Sequence, residues 1–155
     1  VLENKQNSSN IIISTGKRKR AIATAIIRPG TGKVKINGTP ADIIPNYMVK
    51  IKILEPLLLI GSEVRKMVDI DVRVSGGGIM GQAGAIRTAI ARGLVNYFRC
   101  NDSSEECEMK NRISQRIKRI FEEYDKSMLS GDYRRTEPKK YMRYSARRGW
   151  QTSYR

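Results

Sequence analysis

The sequence predicts an α+β domain, a two-layer mixed β-sheet with helices on one face, continued by an extended basic C-terminal tail. Three observations carry that expectation. Residues 68 to 74, VDIDVRV, alternate without a break. Val68, Ile70, Val72 and Val74 face one way and Asp69, Asp71 and Arg73 the other, the pattern of a strand with one covered face. Ala83, Ile86, Ile90, Leu94 and Phe98 then recur at spacings of three and four, the stripe of a covering helix over about 81 to 99. From Arg134 to Arg155 eight basic residues stand with one acid, Glu137, and too few apolar residues to build a core.

These observations divide the chain into a polar, flexible N-terminal extension (1–10), a globular α+β domain (11–133) and the tail (134–155). Strand material starts at Ile11 and is interrupted by the basic knot GKRKR at 16 to 20. AIATAIIR and VKIN, on either side of Pro29-Gly30-Thr31-Gly32, read as the two arms of a hairpin, with Val34 and Ile36 alternating against Lys33 and Lys35. Gly38, Pro40 and Pro45 punctuate the next stretch, where Asp42 is placed to cap a short helix. Residues 47 to 60 read as a helix running into a packed turn at Gly61, with Pro56 inside it.

Ser75-Gly76-Gly77-Gly78 ends the alternating strand before the first long helix. Ser103-x-x-Glu106 has the form of a capping box for a second, with Ile113, Ile117, Ile120 and Tyr124 on one face and Arg112, Arg116 and Arg119 on the other. SMLSGDY can supply one short strand. Pro138 argues against a continuous helix through the tail. With two helices on one face of the sheet, its other face must meet solvent or a partner. No internal repeat is visible.

Composition narrows the function. Thirty Lys plus Arg against fifteen Asp plus Glu give a formal charge of +15 with no histidine to adjust it, and a polyanionic partner best explains so large an excess. A membrane is the weaker choice of partner. No apolar run reaches the roughly 18 residues of a transmembrane segment, the opening residues lack the pattern of a signal peptide, and the tail has no apolar helical face. Cys100 and Cys107 could pair but are expected as free thiols in a reducing compartment, where the N-x-S/T triplets at Asn7, Asn37 and Asn101 would go unglycosylated.

Enzymatic chemistry finds no foothold. Without histidine the usual general base and the commonest metal ligand are missing, and two cysteines cannot complete a zinc site. Asp69 and Asp71 share a strand face but read as partners of neighbouring arginines. Gly76-Gly77-Gly78-Ile79-Met80-Gly81 fits G-x-G-x-x-G between a strand and a helix, with Asp102 about 20 residues on. Asp102 falls in a polar turn, however, not at the end of the next parallel strand, and the chain has no room for a doubly wound sheet with a substrate domain. Gly32-Lys33 lacks the first glycine and the following Ser or Thr of a phosphate loop. No catalytic residue, cofactor, metal or small-molecule substrate is therefore expected.

The basic residues fall into three clusters: Lys17, Arg18, Lys19 and Arg20, in a stretch without an acid between Glu3 and Asp42; Arg112, Arg116 and Arg119; and the tail's Arg134, Arg135, Lys139, Lys140, Arg143, Arg147 and Arg148. Backbone amides at the Gly76, Gly77 and Gly78 turn stand where a helix N-terminus favours an anion such as RNA phosphate. Tyr141, Tyr144, Trp150 and Tyr154 add flat rings able to stack on unpaired bases beside arginine–phosphate contacts. A small α+β body with such a tail suits a component threaded into a large folded RNA, which can order the tail on binding. A general RNA chaperone is the competing reading.

GKRKRAIATAIIRPGTGKVKINGTP, LEPLLLIG, VDIDVRVSGGGIMGQAGAIRTAIARGLV, EEYDKSMLSGDYRRTEPKK and the terminal QTSYR follow one another in the order seen in a known family. The chain resembles the ribosomal protein S9 family of the small subunit, in its archaeal and eukaryotic cytoplasmic form. The resemblance implies a body of the ribosomal protein S5 domain 2-like class, embedded in the subunit head among small-subunit rRNA and neighbouring proteins. It also implies a cytoplasmic location (with nucleolar assembly in a eukaryote) and a tail reaching peptidyl-site tRNA. Ser153, Tyr154 and Arg155 are the implied tRNA-contacting residues. Lys139 and Lys140 match the family's basic pair where the tail leaves the domain, and Arg147 matches an arginine farther along. The family commonly has Phe-Gly-Gly-Pro-Gly-Ala-Arg where this chain has Tyr141-Met142-Arg143-Tyr144-Ser145-Ala146-Arg147, so bulkier side chains replace its glycines.

Overall fold

The computed structural model describes residues 11–100, 105–151 and 153. The predicted N-terminal extension, Ser103 of the expected capping box, and Tyr154 and Arg155 lie outside the described residues. Strands β1 (Ile12–Arg18), β2 (Ala21–Pro29), β3 (Val34–Ile36) and β4 (Thr39–Pro40) lead through a 3-10 turn (Ala41–Ile43) to helices α1 (Tyr47–Leu59) and α2 (Ser62–Arg65). Strand β5 (Val68–Ser75), helices α3 (Ile79–Tyr97) and α4 (Glu105–Tyr124), and the short α5 (Ser127–Ser130) complete the order. The strands form one mixed sheet in the order β1-β2-β5-β3-β4, with β3 parallel to β5 and the other pairs antiparallel.

Small residues let α3 lie close on β1 and β2. Ala21, Ala23, Ala25 and Ile27 are fully buried on the inner face of β2, and Ala83, Ala85, Ala89 and Ile90 face them from α3. Gly16 of β1 marks the tightest approach, because a side chain there would run into the Ala85 carbonyl and the Ala89 amide. Val68, Ile70 and Val72 extend the core under β5 as the alternation predicts, while Asp71 and Arg73 face outward. α1 packs on α3, and α4 packs on α3, α5 and α1 through Ile117 and Phe121.

The predicted hairpin is misplaced. β2 and β3 are not partners, because β5 lies between them. The tight hairpin joins β1 to β2 through Lys19 and Arg20, where Lys19 takes φ 55° to reverse the chain in two residues. The Pro29–Gly32 stretch instead forms a loop closed by Asp69, whose carboxylate accepts from the amides of Thr31 (2.8 Å) and Lys33 (2.9 Å). Those amides, that of Lys33 foremost, hold the Asp69 carboxyl below its usual range against the opposing effect of burial.

Other local expectations also change. Asp42 sits within the 3-10 turn and caps nothing. Asn46 caps α1, accepting from Met48 N at 3.1 Å and Val49 N at 3.3 Å, as an N-cap amide does. SMLSGDY yields no strand: Met128 is fully buried, anchoring α5, and only an isolated bridge joins Asp132 to Arg18. Tyr124 ends on the surface, and Phe121 takes the buried place on α4. Cys100 and Cys107 are joined by a disulfide, correcting the free-thiol expectation. Asn111 from α4 draws the corner together, donating to the Cys100 carbonyl (3.0 Å) and accepting from its amide (2.9 Å), and the two Cα atoms stand 5.5 Å apart.

Candidate nucleic-acid interface

At one end of the sheet the β1–β2 turn, the start of α3 and the first tail residues converge. Lys19, Arg20, Gly77, Gly78, Arg135 and Thr136 line one cleft. An adjoining cleft takes Lys17, Lys19, Arg92, Tyr133 and Arg135, with Asp132 its single acid. The glycines make the convergence possible. Gly76 and Gly77 take φ 72° and 67°, and a Cβ on Gly77 would meet the Ala21 amide at 2.9 Å, so the turn lies directly over the start of β2. Gly78 caps α3 without a side chain, and the first-turn amides of this 19-residue helix receive no side-chain oxygen from the cap. An uncapped positive helix end ringed by Lys19, Arg20 and Arg135 is chemically suited to phosphate.

Arg18 stands apart from its neighbours. It points into the body and forms an ion pair with Asp132, its stem lying against Gly84. Asp132 also accepts from Arg134, at 2.7 Å from Nη2 and 2.9 Å from the backbone amide. Arg134 first and Arg18 after it hold the Asp132 carboxyl far below its usual range, and Asp132 in turn raises the Arg134 guanidinium. Of the first predicted cluster, Lys17, Lys19 and Arg20 therefore face outward, while Arg18 is committed to the fold. Arg134 joins this clamp from its exposed side.

The stripe Arg112, Arg116 and Arg119 is exposed along α4 as the spacing predicts, and none of the three lines either cationic cleft. The candidate residues thus form two separate sets on the body. Arg116 also borders an apolar groove with Leu58, Met67, Ile113 and Ile120.

Among the described residues, every hydrogen bond and ion pair made by residues 137 to 153 stays within the tail. Glu137 holds Lys140 (3.2 Å) and Arg147 (2.9 Å). Between them the chain reverses, with Met142 at φ 58° and the Tyr144 amide donating to the Arg148 carbonyl at 3.1 Å. Lys139 and Arg143 are exposed, as are Arg148 and Ser153.

Two arginines that the cluster reading passed over are structural. Arg87 of α3 pairs with Glu55 of α1 (2.6 Å) and Asp125 (2.8 Å), its side chain 11% exposed. Burial opposes the Asp125 charge, yet the hydroxyl and amide of Ser127, with Arg87, hold its carboxyl below the usual range. Arg92 donates to the carbonyls of Leu129, Ser130 and Thr15, tying α5 and β1 to α3. A sequence signal existed for both, since a cation within an apolar helix must find partners when buried. Among the described residues no group of three or more His, Cys, Asp or Glu could hold a metal ion, and no helix is long and apolar enough to cross a membrane.

A family model described as ribosomal protein S9/S16 matches residues 16–155. A protein of Aeropyrum pernix named small ribosomal subunit protein uS9 is 63% identical over 146 residues, covering 94% of this chain and 97% of that protein. Its namesake in Desulfurococcus amylolyticus is 54% identical over 145 residues, covering 94% of this chain and 93% of that protein. The one in Saccharolobus solfataricus is 45% identical over 145 residues, covering 94% and 96%.

Proposed function

The chain belongs to the ribosomal protein S9/S16 family, and from that premise we propose that it grips small-subunit rRNA with its two cationic body surfaces and reaches peptidyl-site tRNA with the end of its tail. Family membership makes it a structural, non-enzymatic protein of the small ribosomal subunit, in the cytoplasm, with rRNA and other ribosomal proteins as partners. The finer contacts are the proposal.

The observation that carries the rRNA reading is the convergence of Lys19, Arg20 and Arg135 on the uncapped start of α3. The one acid lining these clefts, Asp132, is already engaged with Arg18 and Arg134. The outward cations are thus left to meet phosphate, where each contact releases a counterion. Arg112, Arg116 and Arg119 supply the second rRNA surface. For the tRNA contact, the support is the family resemblance of the terminal QTSYR and the tail's charge of +7.

Small subunits assembled with a chain lacking residues 150–155 test the tRNA contact. They are expected to contain the protein at full occupancy and to retain peptidyl-site tRNA less well than wild type as salt is raised. Equal retention at every salt concentration would remove the tRNA contact from the reading. Replacing Arg112, Arg116 and Arg119 together with alanine is expected to impair incorporation. Unchanged incorporation would return that stripe to an ordinary solvated helix face.

A further inference from the structure

We propose that Tyr144, Arg148 and Trp150 form a stacking platform for one unpaired nucleobase of single-stranded RNA. The proposal rests on the RNA-binding reading above and adds to it a site and a ligand class. The Tyr144 and Trp150 rings lie 3.8 Å apart between centroids, tilted by 40°, and the Arg148 guanidinium stands over the Tyr144 ring at 5.5 Å. The two rings are 54% and 53% exposed. They support one another without being covered, and no core residue packs over them.

The platform is built by the tail itself. Glu137, the tail's one acid, gathers Lys140 and Arg147. The Tyr144 amide donates to the Arg148 carbonyl, and the Ser145 hydroxyl accepts from the Arg148 amide at 3.2 Å. Together these bring residue 144 back to meet 148 and 150. Tyr141, by contrast, is 94% exposed and makes no ring contact among the described residues, so the pairing of 144 with 150 is not shared by every aromatic of the tail.

The chemistry selects the ligand. Aromatic faces accept any base, and a guanidinium beside them offers both a cation–π contact and a fork for the adjoining phosphate. A lipid surface would want a continuous apolar face, and the exposed large hydrophobics among the described residues 137 to 153 are Tyr141, Met142, Tyr144 and Trp150, interspersed with arginines. The surrounding Arg143, Arg147 and Arg148 favour a polyanion.

Trp150 is the chain's single tryptophan, which makes its fluorescence a direct reporter. The full-length protein is titrated with a single-stranded oligoadenylate and with an abasic ribose-phosphate oligomer of equal length. Both are expected to bind, and the oligoadenylate alone to quench Trp150 strongly. Tyr144→Ala is expected to weaken oligoadenylate binding at least about fivefold, with abasic binding unchanged and Tyr144→Phe near wild type. Tight abasic binding with equal quenching by both oligomers, or no effect of Tyr144→Ala, overturns the platform and leaves the RNA-binding reading standing. Failure of both oligomers to bind overturns the RNA-binding reading itself, and the platform with it.

Chemical probing of small subunits carrying Tyr144→Ala identifies the source of the base. Lost protection of an rRNA base without tRNA assigns it to rRNA, and lost protection that needs bound tRNA assigns it to tRNA. No altered base in either state counts against the platform.

Discussion

The body and the tail use the same residue type in opposite ways. In the body Arg18, Arg87 and Arg92 turn inward: Arg18 to Asp132, Arg87 to Glu55 and Asp125, Arg92 to three backbone carbonyls. Among the described tail residues the arginines face solvent, and the single acid, Glu137, restrains only two of the cations. A partly buried guanidinium left without its partners destabilises the fold, whereas an exposed one contributes little until a polyanion arrives. Cation number alone therefore does not locate an RNA surface, because position relative to the core decides the role. The body is held by cations already committed to internal partners.

The largest expected effect is on the inward side. Arg87→Ala leaves Glu55 and Asp125 without their shared partner at a partly buried site, and is expected to cost about 2 to 3 kcal/mol of stability in denaturant unfolding. A loss below about 0.5 kcal/mol, the range of ordinary surface changes, would break the contrast. Arg18→Ala is expected to cost about 1 to 2 kcal/mol, while Lys19→Ala, one residue away, leaves the unfolding midpoint unchanged. Similar losses at both positions would mean that the clamp on Asp132 does not distinguish them.

The outward side is read in RNA binding. Replacing Lys19, Arg20 and Arg135 together with alanine is expected to lower rRNA-fragment affinity on the order of tenfold at moderate salt. The slope of log affinity against log salt should fall by about two to three, with the melting temperature unaltered. An unchanged slope would show that the convergent cleft holds no phosphate.

The smallest expected effect is pH dependence near neutrality. Asp69, Asp125 and Asp132 are all held below the usual carboxylate range. Their stabilisation is therefore complete above the unfolded value of about 3.9 and is lost as pH falls from there toward the folded values. With no histidine in the chain, the melting temperature is expected to stay flat from about pH 5 to 8 and to drop below about pH 4. Removing residues 137–155 should leave that acid limb in place, because all three carboxylates belong to the body. A decline starting near pH 6 would assign the acid sensitivity to another group.

Much of this division was legible in the sequence, and the gaps have physical causes. The alternation over VDIDVRV and the apolar spacing of α3 located β5 and its covering helix because burial of one face imposes a period. Strand partners were not legible, since β3 joins β5 in parallel across a crossover that no local pattern encodes. Pro and Gly are strong turn signals, so the sequence points to a hairpin at Pro29–Gly32. The true turn uses Lys19 at positive φ, a conformation lysine rarely advertises. Met128 shows the ambiguity of short apolar runs, which serve as a strand or as one helical turn. The disulfide was discounted on compartment grounds, although a separation of seven residues across a helix–helix corner permits it. Within the candidate interface, exposure of Arg112, Arg116 and Arg119 followed from helical spacing, but the inward turn of Arg18 depends on Asp132, 114 residues away. The ring pair at 144 and 150 depends on a turn that residues 137 to 148 close between them.

Sedimentation of native cell extract at moderate and high salt, with this chain quantified across the gradient, tests the central claim most directly. The account predicts one copy per small subunit, retained at high salt because the body is locked into folded rRNA while the tail is threaded through it. A diffuse signal that salt strips to the top of the gradient would contradict it and make the chain a loose RNA binder.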